Sequence, residues 1–227
     1  MTSRAPVDAL ASRVEGVRQR IALACERSGR APGEVTLVAV SKTWSADEVA
    51  SAWHAGLRDF GENRVQEAVP KVQDVAARGL NPTWHFVGHL QTNKVKAAVN
   101  TFAILHSVDS ERLVEAIAAA GQPTRIMIEV NVSGEPTKFG LAPAALPGLL
   151  GVARRHEQLR AEGLMTVAPL TVDPEAARPI FRRLCELARE HGLASLSMGM
   201  TDDFEVAIEE GATHVRVGRA IFGERQA

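Results

Sequence analysis

The sequence predicts an α/β protein whose eight parallel strands close into a (β/α)8 barrel of the TIM type. Eight short apolar segments recur along the 227 residues, and longer amphipathic segments separate most of them. Alternation of strands and helices is typical of a parallel sheet, and eight strands are enough to close one. An open, doubly wound sheet is the alternative. Because no Pro-, Gly- or Ser-rich linker interrupts the pattern, we expect residues 1–227 to form a single domain.

Several of the predicted strands are almost continuously apolar, as expected where helices cover both faces of a parallel sheet. The predicted strands are Val35–Ser41, Leu57–Gly61, Trp84–Gly88, Ile104–Val108, Arg125–Val132, Gly163–Val167, Ser195–Met198 and Thr213–Gly218. One extra N-terminal helix, about Val7–Ser28, precedes the first strand. We expect it to cover the bottom or the side of the barrel.

Helical patterns fill most of the intervals between the strands. They are Ala46–Ala55, Arg64–Ala77, Asn93–Val99, Glu111–Ala120, Ala144–Arg160, Glu175–Glu190 and Asp203–Glu209. Ser45 is placed to cap the first, and Asp202 with Glu205 has the spacing of a capping box. Glycines follow four helical patterns and predict their ends, at Gly56, Gly121, Gly192 and Gly211.

The charge balance argues against nucleic-acid and membrane partners. Lysine and arginine number 26 against 27 acidic residues, for a net charge of −1, so no basic field exists to attract either surface. The apolar runs are shorter than the ~20 residues of a membrane span, and the first eleven residues have no apolar signal-peptide core. Cys25 and Cys185 are far apart in helical segments, which predicts free thiols. We expect a cytoplasmic protein, and a monomer.

Lys42 is the residue of the sequence whose position most clearly indicates a chemical role. It directly follows the first apolar strand, and barrel active sites form where strands end and the next loops begin. Desolvation among barrel walls would lower the pKa of its amine and make it a better nucleophile toward an aldehyde, which is the requirement for a Schiff base. The alternative is a lysine that extends from a strand end into solvent.

Arg216 is a second anomaly, because it interrupts the apolar eighth strand. A buried guanidinium needs partners, so either it faces a ligand or it forms an ion pair with an acid such as Glu129. The loops after strands seven and eight often bind phosphate in barrels, and here they carry glycines, at Gly199 and Gly218. Together these features predict a phosphate ligand that bears an aldehyde.

Other residues at the strand ends have two interpretations each. His85 either stacks on a flat ring or belongs to the core, and Asn63 either contacts the ligand or caps the next helix. Asp202 and Asp203 are expected to cap a helix, and Lys138 is expected to be a loop lysine rather than a catalytic one. The seven histidines show no metal-ligand spacing, so we expect no metal site.

Five ordered motifs resemble the pyridoxal phosphate homeostasis protein family, from about Val35 to Gly223. They are Leu37–Thr43 (LVAVSKT), Phe60–Glu67 (FGENRVQE), Trp84–Gly88 (WHFVG) with Gln91–Lys94 (QTNK), Leu196–Asp203 (LSMGMTDD) and Val215–Gly223 (VRVGRAIFG). The resemblance implies a fold-type III barrel related to the N-terminal domain of alanine racemase. It also implies pyridoxal 5′-phosphate as the cofactor, held as a Schiff base on Lys42.

The same resemblance implies roles for the remaining site residues. Ser197, with the backbone of Gly218 and Arg219, would hold the phosphate. Arg216 would face the pyridine nitrogen, and Asn63 and His85 would line the ring pocket. The family often has a small or hydroxyl residue where this chain has Arg219, which would leave phosphate binding to backbone N–H groups and the guanidinium itself.

The residues favour a cofactor carrier over an enzyme. An arginine opposite the pyridine nitrogen keeps that nitrogen unprotonated, which makes the cofactor a weaker electron sink. Racemisation would remain feasible, but it needs an acid/base group on each face, and the chain contains no tyrosine to serve as the second. We expect a protein that buffers or delivers the cofactor, with PLP-dependent apo-enzymes as partners. A racemase of low activity and a sugar-phosphate barrel without a Schiff base are the alternatives.

Overall fold

In the computed structural model, which describes residues 5–169 and 171–224, eight parallel strands close into a barrel in sequence order. The strands are β1 Thr36–Val40, β2 Asp59–Glu62, β3 Thr83–Phe86, β4 Ile104–Val108, β5 Thr124–Glu129, β6 Leu159–Met165, β7 Ser195–Ser197 and β8 His214–Val217. Each strand pairs with the next, and β8 pairs with β1. The closed barrel is therefore confirmed and the open sheet is wrong. Of the predicted domain 1–227, residues 1–4, 170 and 225–227 lie outside the described residues.

Helices follow the strands on the outside of the barrel. The α-helices are α1 Ala5–Arg27, α2 Ala46–His54, α3 Val65–Ala77, α4 Val95–Thr101, α5 Glu111–Ala119, α6 Leu146–Ala153, α7 Arg178–Glu190, α8 Phe204–Glu209 and α9 Arg219–Phe222. Short 3-10 turns occupy Pro32–Glu34, Thr92–Lys94, Pro143–Ala145 and Pro174–Ala177. The extra helix α1 is confirmed, and it covers the side of the barrel against α8 and α9. Within the described residues, no helix is both long and apolar enough to cross a membrane.

Two local predictions are wrong. The helix predicted over Ala144–Arg160 ends at Ala153, and β6 begins at Leu159 rather than Gly163. The charged start of β6 is stable because Glu162 forms an ion pair of 2.8 Å with Arg125 on β5. Asp202 does not cap α8, because Asp203 is the N-terminal flanking residue and makes no side-chain capping bond.

The cap at Ser45 is confirmed, since its hydroxyl accepts from the backbone N–H groups of Asp47 and Glu48. All four predicted stop glycines follow helices with positive φ. Both cysteines are free thiols, as predicted.

The inside of the barrel is unusually polar. The main apolar cluster lies between the strands and the helices, whereas the interior holds a small separate cluster of Ile104, Met127 and Met165. Alternation along each strand sends every second side chain inward. The interior positions therefore include buried His85, His106, Ser197, His214 and Arg216.

Candidate functional site

Lys42 lies at the carboxyl end of the barrel, one residue beyond the buried Ser41 that ends the β1 segment. Its side chain is half-buried. The Ser41 backbone N–H still donates to the Gly61 carbonyl on β2, at 3.0 Å. The next residue, Thr43, has a φ of 72°, and it is the one non-glycine residue with a positive φ in the described chain. Such strained backbone concentrates at functional sites and here sharply turns the chain after the lysine.

A buried ion pair supports this turn from the neighbouring strand. The Lys71 ammonium on α3 donates to Glu62 Oε1 at 2.7 Å and to the Ser41 carbonyl at 2.9 Å. The Ser41 hydroxyl donates to the same carboxylate oxygen at 2.8 Å. Glu62 is fully buried, and its Oε2 has no hydrogen-bond partner among the described residues. Sequence reasoning missed this cluster, although Glu62 stands in the FGEN motif at the end of a strand.

Arg216 is buried inside the barrel, as predicted, but its partners are neutral. Its Nη1 donates to the Ser197 hydroxyl at 2.6 Å and its Nη2 to the Thr166 carbonyl at 2.9 Å. Burial lowers the pKa of Arg216 to about 10, against the opposing effect of Glu129. Among the described residues the guanidinium has no carboxylate hydrogen-bond partner and Glu129 acts on it only through space, so the alternative of an ion pair with Glu129 is wrong.

Ser197 and His85 lie in the interior with their polar atoms already bonded. The Ser197 hydroxyl, besides accepting from Arg216, is 2.8 Å from His106 Nδ1. The His85 ring is bonded through one nitrogen to His106 at 2.9 Å and through the other to Asp59 at 3.1 Å. Sequence reasoning missed His106 and Asp59, although each is a polar residue within a predicted apolar strand, Ile104–Val108 and Leu57–Gly61.

The loops after β7 and β8 lie close together and close to the end of β1. Gly199 has a φ of 88°, and a Cβ there would lie 2.6 Å from that of Ala207. A Cβ on Gly218 would lie 3.3 Å from the Val40 carbonyl. The Arg219 guanidinium forms an ion pair with Asp202, which ties the two loops together. Thr201, a polar residue of the Leu196–Asp203 motif, stands half-buried in the turn after β7.

Asn63 follows β2 and is half-buried. A Cβ on Gly88 would lie 2.2 Å from the Asn63 carbonyl, so the loops after β2 and β3 touch at this glycine. Asn63 does not cap α3, because Arg64 is the N-terminal flanking residue. Lys138 lies in the loop after β5, 3.4 Å from Glu135 and 3.4 Å from the Val167 carbonyl, as expected of a loop lysine.

The chain matches the family model described as the N-terminal domain of alanine racemase over residues 14–226. A pyridoxal phosphate homeostasis protein of Pseudomonas aeruginosa is 45% identical over 222 residues, covering 95% of this chain and 96% of that protein. One of Aquifex aeolicus is 43% identical over 224 residues, covering 94% and 97%. The structure of PipY of Synechococcus elongatus with PLP bound is 35% identical, with a TM-score of 0.79, and covers 94% of this chain and 100% of that one.

Proposed function

This chain belongs to the alanine racemase N-terminal domain family and, within it, to the pyridoxal phosphate homeostasis proteins, and we propose that it binds pyridoxal 5′-phosphate as a Schiff base on Lys42. One observation carries the assignment of the lysine: Gly218, on the loop after β8, packs against Val40, two residues before Lys42. A nucleophilic amine and a loop suited to phosphate therefore share one end of the barrel. When bound, the cofactor would supply a reactive aldehyde, and the Lys42 amine would hold it at this end of the barrel.

The residues around Lys42 suit such a ligand. Arg216 is a buried cation without an adjacent carboxylate, so a ring nitrogen is an acceptable partner for its remaining N–H groups. The Arg219 guanidinium is engaged by Asp202, which leaves the backbone N–H groups of Gly218 and Arg219 for the phosphate. Because the Ser197 hydroxyl is bonded on both sides, Thr201 is the better hydroxyl for a phosphate contact.

In this proposal, Asn63 and Gly199 line the pocket from the loops that follow β2 and β7. His85 supports it from below, because both its ring nitrogens are already hydrogen-bonded inside the barrel. The half-buried Lys138 stands on a different loop and takes no part.

The role that fits best is buffering or delivery of the cofactor in the cytoplasm, rather than catalysis. A fixed guanidinium facing the ring nitrogen weakens the cofactor as an electron sink, and no tyrosine exists in the sequence to supply a second acid/base group. We expect a monomer that passes PLP to apo-enzymes. The fold shared with alanine racemase favours low racemase activity as the alternative.

Visible absorbance with and without PLP tests the binding claim. The wild type should show a yellow band that borohydride abolishes, Lys42→Ala should lack it, and the matched control Lys138→Ala should keep it. A chiral assay over the common amino acids separates the roles, since racemisation that depends on Lys42 would replace the carrier by an enzyme. Transfer of bound PLP to an apo-enzyme faster than spontaneous release supports delivery, and unchanged release restricts the role to storage.

A further inference from the structure

Five polar side chains form one continuous hydrogen-bonded chain across the barrel interior. Asp59 is the first residue of β2, at the amino end of the barrel, and it contacts His85 Nε2 at 3.1 Å. His85 Nδ1 contacts His106 Nε2 at 2.9 Å, and His106 Nδ1 contacts the Ser197 hydroxyl at 2.8 Å. Arg216 completes the chain with its 2.6 Å bond to that hydroxyl. The bonds join β2, β3, β4, β7 and β8.

The two ends determine the direction of every bond in this chain. A guanidinium only donates, so the Ser197 oxygen accepts from Arg216 and its own proton goes to His106 Nδ1. Burial, with the nearby His85, holds the pKa of His106 well below its ordinary value, so this ring is neutral. His106 then carries its proton on Nε2 and donates it to His85 Nδ1. His85 donates from Nε2 to the Asp59 carboxylate, which only accepts.

The two ends differ in their exposure to solvent. The Asp59 side chain is 28% exposed and borders a groove of about 660 Å³ between α1 and the amino ends of β1 and β2. His85, His106, Ser197 and Arg216 are buried. The described residues contain no group of three or more His, Cys, Asp or Glu side chains arranged to hold a metal ion, so the histidines are not explained by metal binding.

We propose that Asp59, His85, His106 and Ser197 are positioning residues that fix the orientation of the Arg216 guanidinium from the far end of the barrel. Each side chain supplies the hydrogen-bond partner of the next one. A buried network of this kind is rigid only when every donor and acceptor in it has a partner. The loss of the Asp59 acceptor frees the His85 proton to move to Nδ1, which then leaves the His106 donor without a partner. The disturbance reaches Ser197 and releases one of the two bonds that hold Arg216.

Among the described residues, the charged and titratable groups around the hydrogen-bonded chain do not offer its members a competing hydrogen-bond partner. His214 faces both rings, with centroids 6.1 Å from His85 and 5.7 Å from His106. Its pKa is lowered to about 4 by burial and by His85, so it is neutral too. Arg125 and Glu129 on β5, and Asp203 after β7, act on the chain only through space.

Nitrogen-15 NMR of the histidine rings in the apo-protein tests the inference without any cofactor. In the wild type, His85 and His106 should each carry a proton on Nε2 and none on Nδ1. A proton on Nδ1 of either ring overturns the proposal. Because this measurement uses the folded wild type, it stands even if a variant fails to fold.

Three variants test the effect on the cofactor site, a readout that rests on the proposed function. Asp59→Leu removes the carboxylate that accepts from His85. It should lower PLP affinity at least tenfold, and His85 and His106 should then populate both ring tautomers. Asp59→Asn retains an acceptor oxygen, so it should keep the Nε2 tautomers and lose less affinity. Glu15→Leu is the control, because Glu15 lines the same groove but is not part of the hydrogen-bonded chain. It should have the histidine tautomers and the PLP affinity of the wild type.

The outcomes separate the two proposals. Unchanged tautomers and unchanged PLP affinity in Asp59→Leu overturn the positioning role. If the wild type shows the Nε2 tautomers but binds no PLP, the proposed function fails while the hydrogen-bonded chain stands.

Discussion

Two buried groups of the barrel should make opposite contributions to the pH dependence of folding. Burial, followed by His85, lowers the pKa of His214 from 6.5 to about 4. Burial, followed by Asp109, raises the pKa of Glu129 from 4.5 to about 7. Each change, at ~1.36 kcal/mol per pKa unit, corresponds to about 3 kcal/mol of folding free energy.

The signs follow from which state binds the proton. Between pH 6.5 and 4 the unfolded chain protonates His214 while the folded protein does not, so acid removes about 3 kcal/mol of stability. Between pH 7 and 4.5 the folded protein protonates Glu129 while the unfolded chain does not, so acid adds about 3 kcal/mol. In the wild type these two contributions largely offset each other.

Glu129→Gln and His214→Gln should separate the two contributions. Urea unfolding of the apo-protein at pH 4.5, 5.5, 6.5 and 7.5 measures the free energy of unfolding of each variant against the wild type. Relative to the wild type, Glu129→Gln should lose about 3 kcal/mol as the pH falls, and His214→Gln should gain up to about that amount. Three parallel pH profiles would refute the reasoning, because they would mean that neither group changes its proton affinity on folding.

Two further substitutions test the supports of the site. Gly88→Ala should lower PLP affinity at least tenfold, because the added Cβ would lie 2.2 Å from the Asn63 carbonyl. The control Gly148→Ala, where no atom lies within 4 Å of the added Cβ, should leave PLP affinity unchanged. Equal PLP affinities of the two variants would contradict the predicted contact. Lys71→Met leaves the buried Glu62 carboxylate without its cation and should lower the free energy of unfolding by about 3–5 kcal/mol in urea. Adding Glu62→Gln should recover part of that loss, and no recovery would show that the charge is not its cause.

The sequence predicted the features that depend on local pattern. Apolar strands alternating with helices are enough to predict a parallel barrel, and Lys42 and Arg216 stood out because each is a cation beside or within an apolar strand. The start of β6 was wrong because Arg160 fits the end of the preceding helical pattern and the charged Glu162 precedes the apolar run. Their strand conformation depends on Arg125, which is distant in sequence.

The interior of the site was harder to predict because its bonds join residues far apart in the chain. His106 and Ser197 are 91 positions apart, and nothing local indicates that they meet. Lys71 is the single lysine of the α3 segment, and no local pattern indicates that it reaches inward to Glu62. The family resemblance implies that Ser197 holds the phosphate, and no local pattern indicates that its hydroxyl is also bonded to Arg216 and His106 inside the barrel.

The most direct test of the central claim is the position of the cofactor on the chain. The PLP-loaded protein is reduced with borohydride, digested, and analysed by peptide mass spectrometry, with Lys42→Ala treated in the same way. The account predicts a pyridoxyl phosphate group on the peptide that contains Lys42 and no stoichiometric label in the variant. A stoichiometric label on Lys138 or another lysine, with Lys42 unmodified, would contradict it.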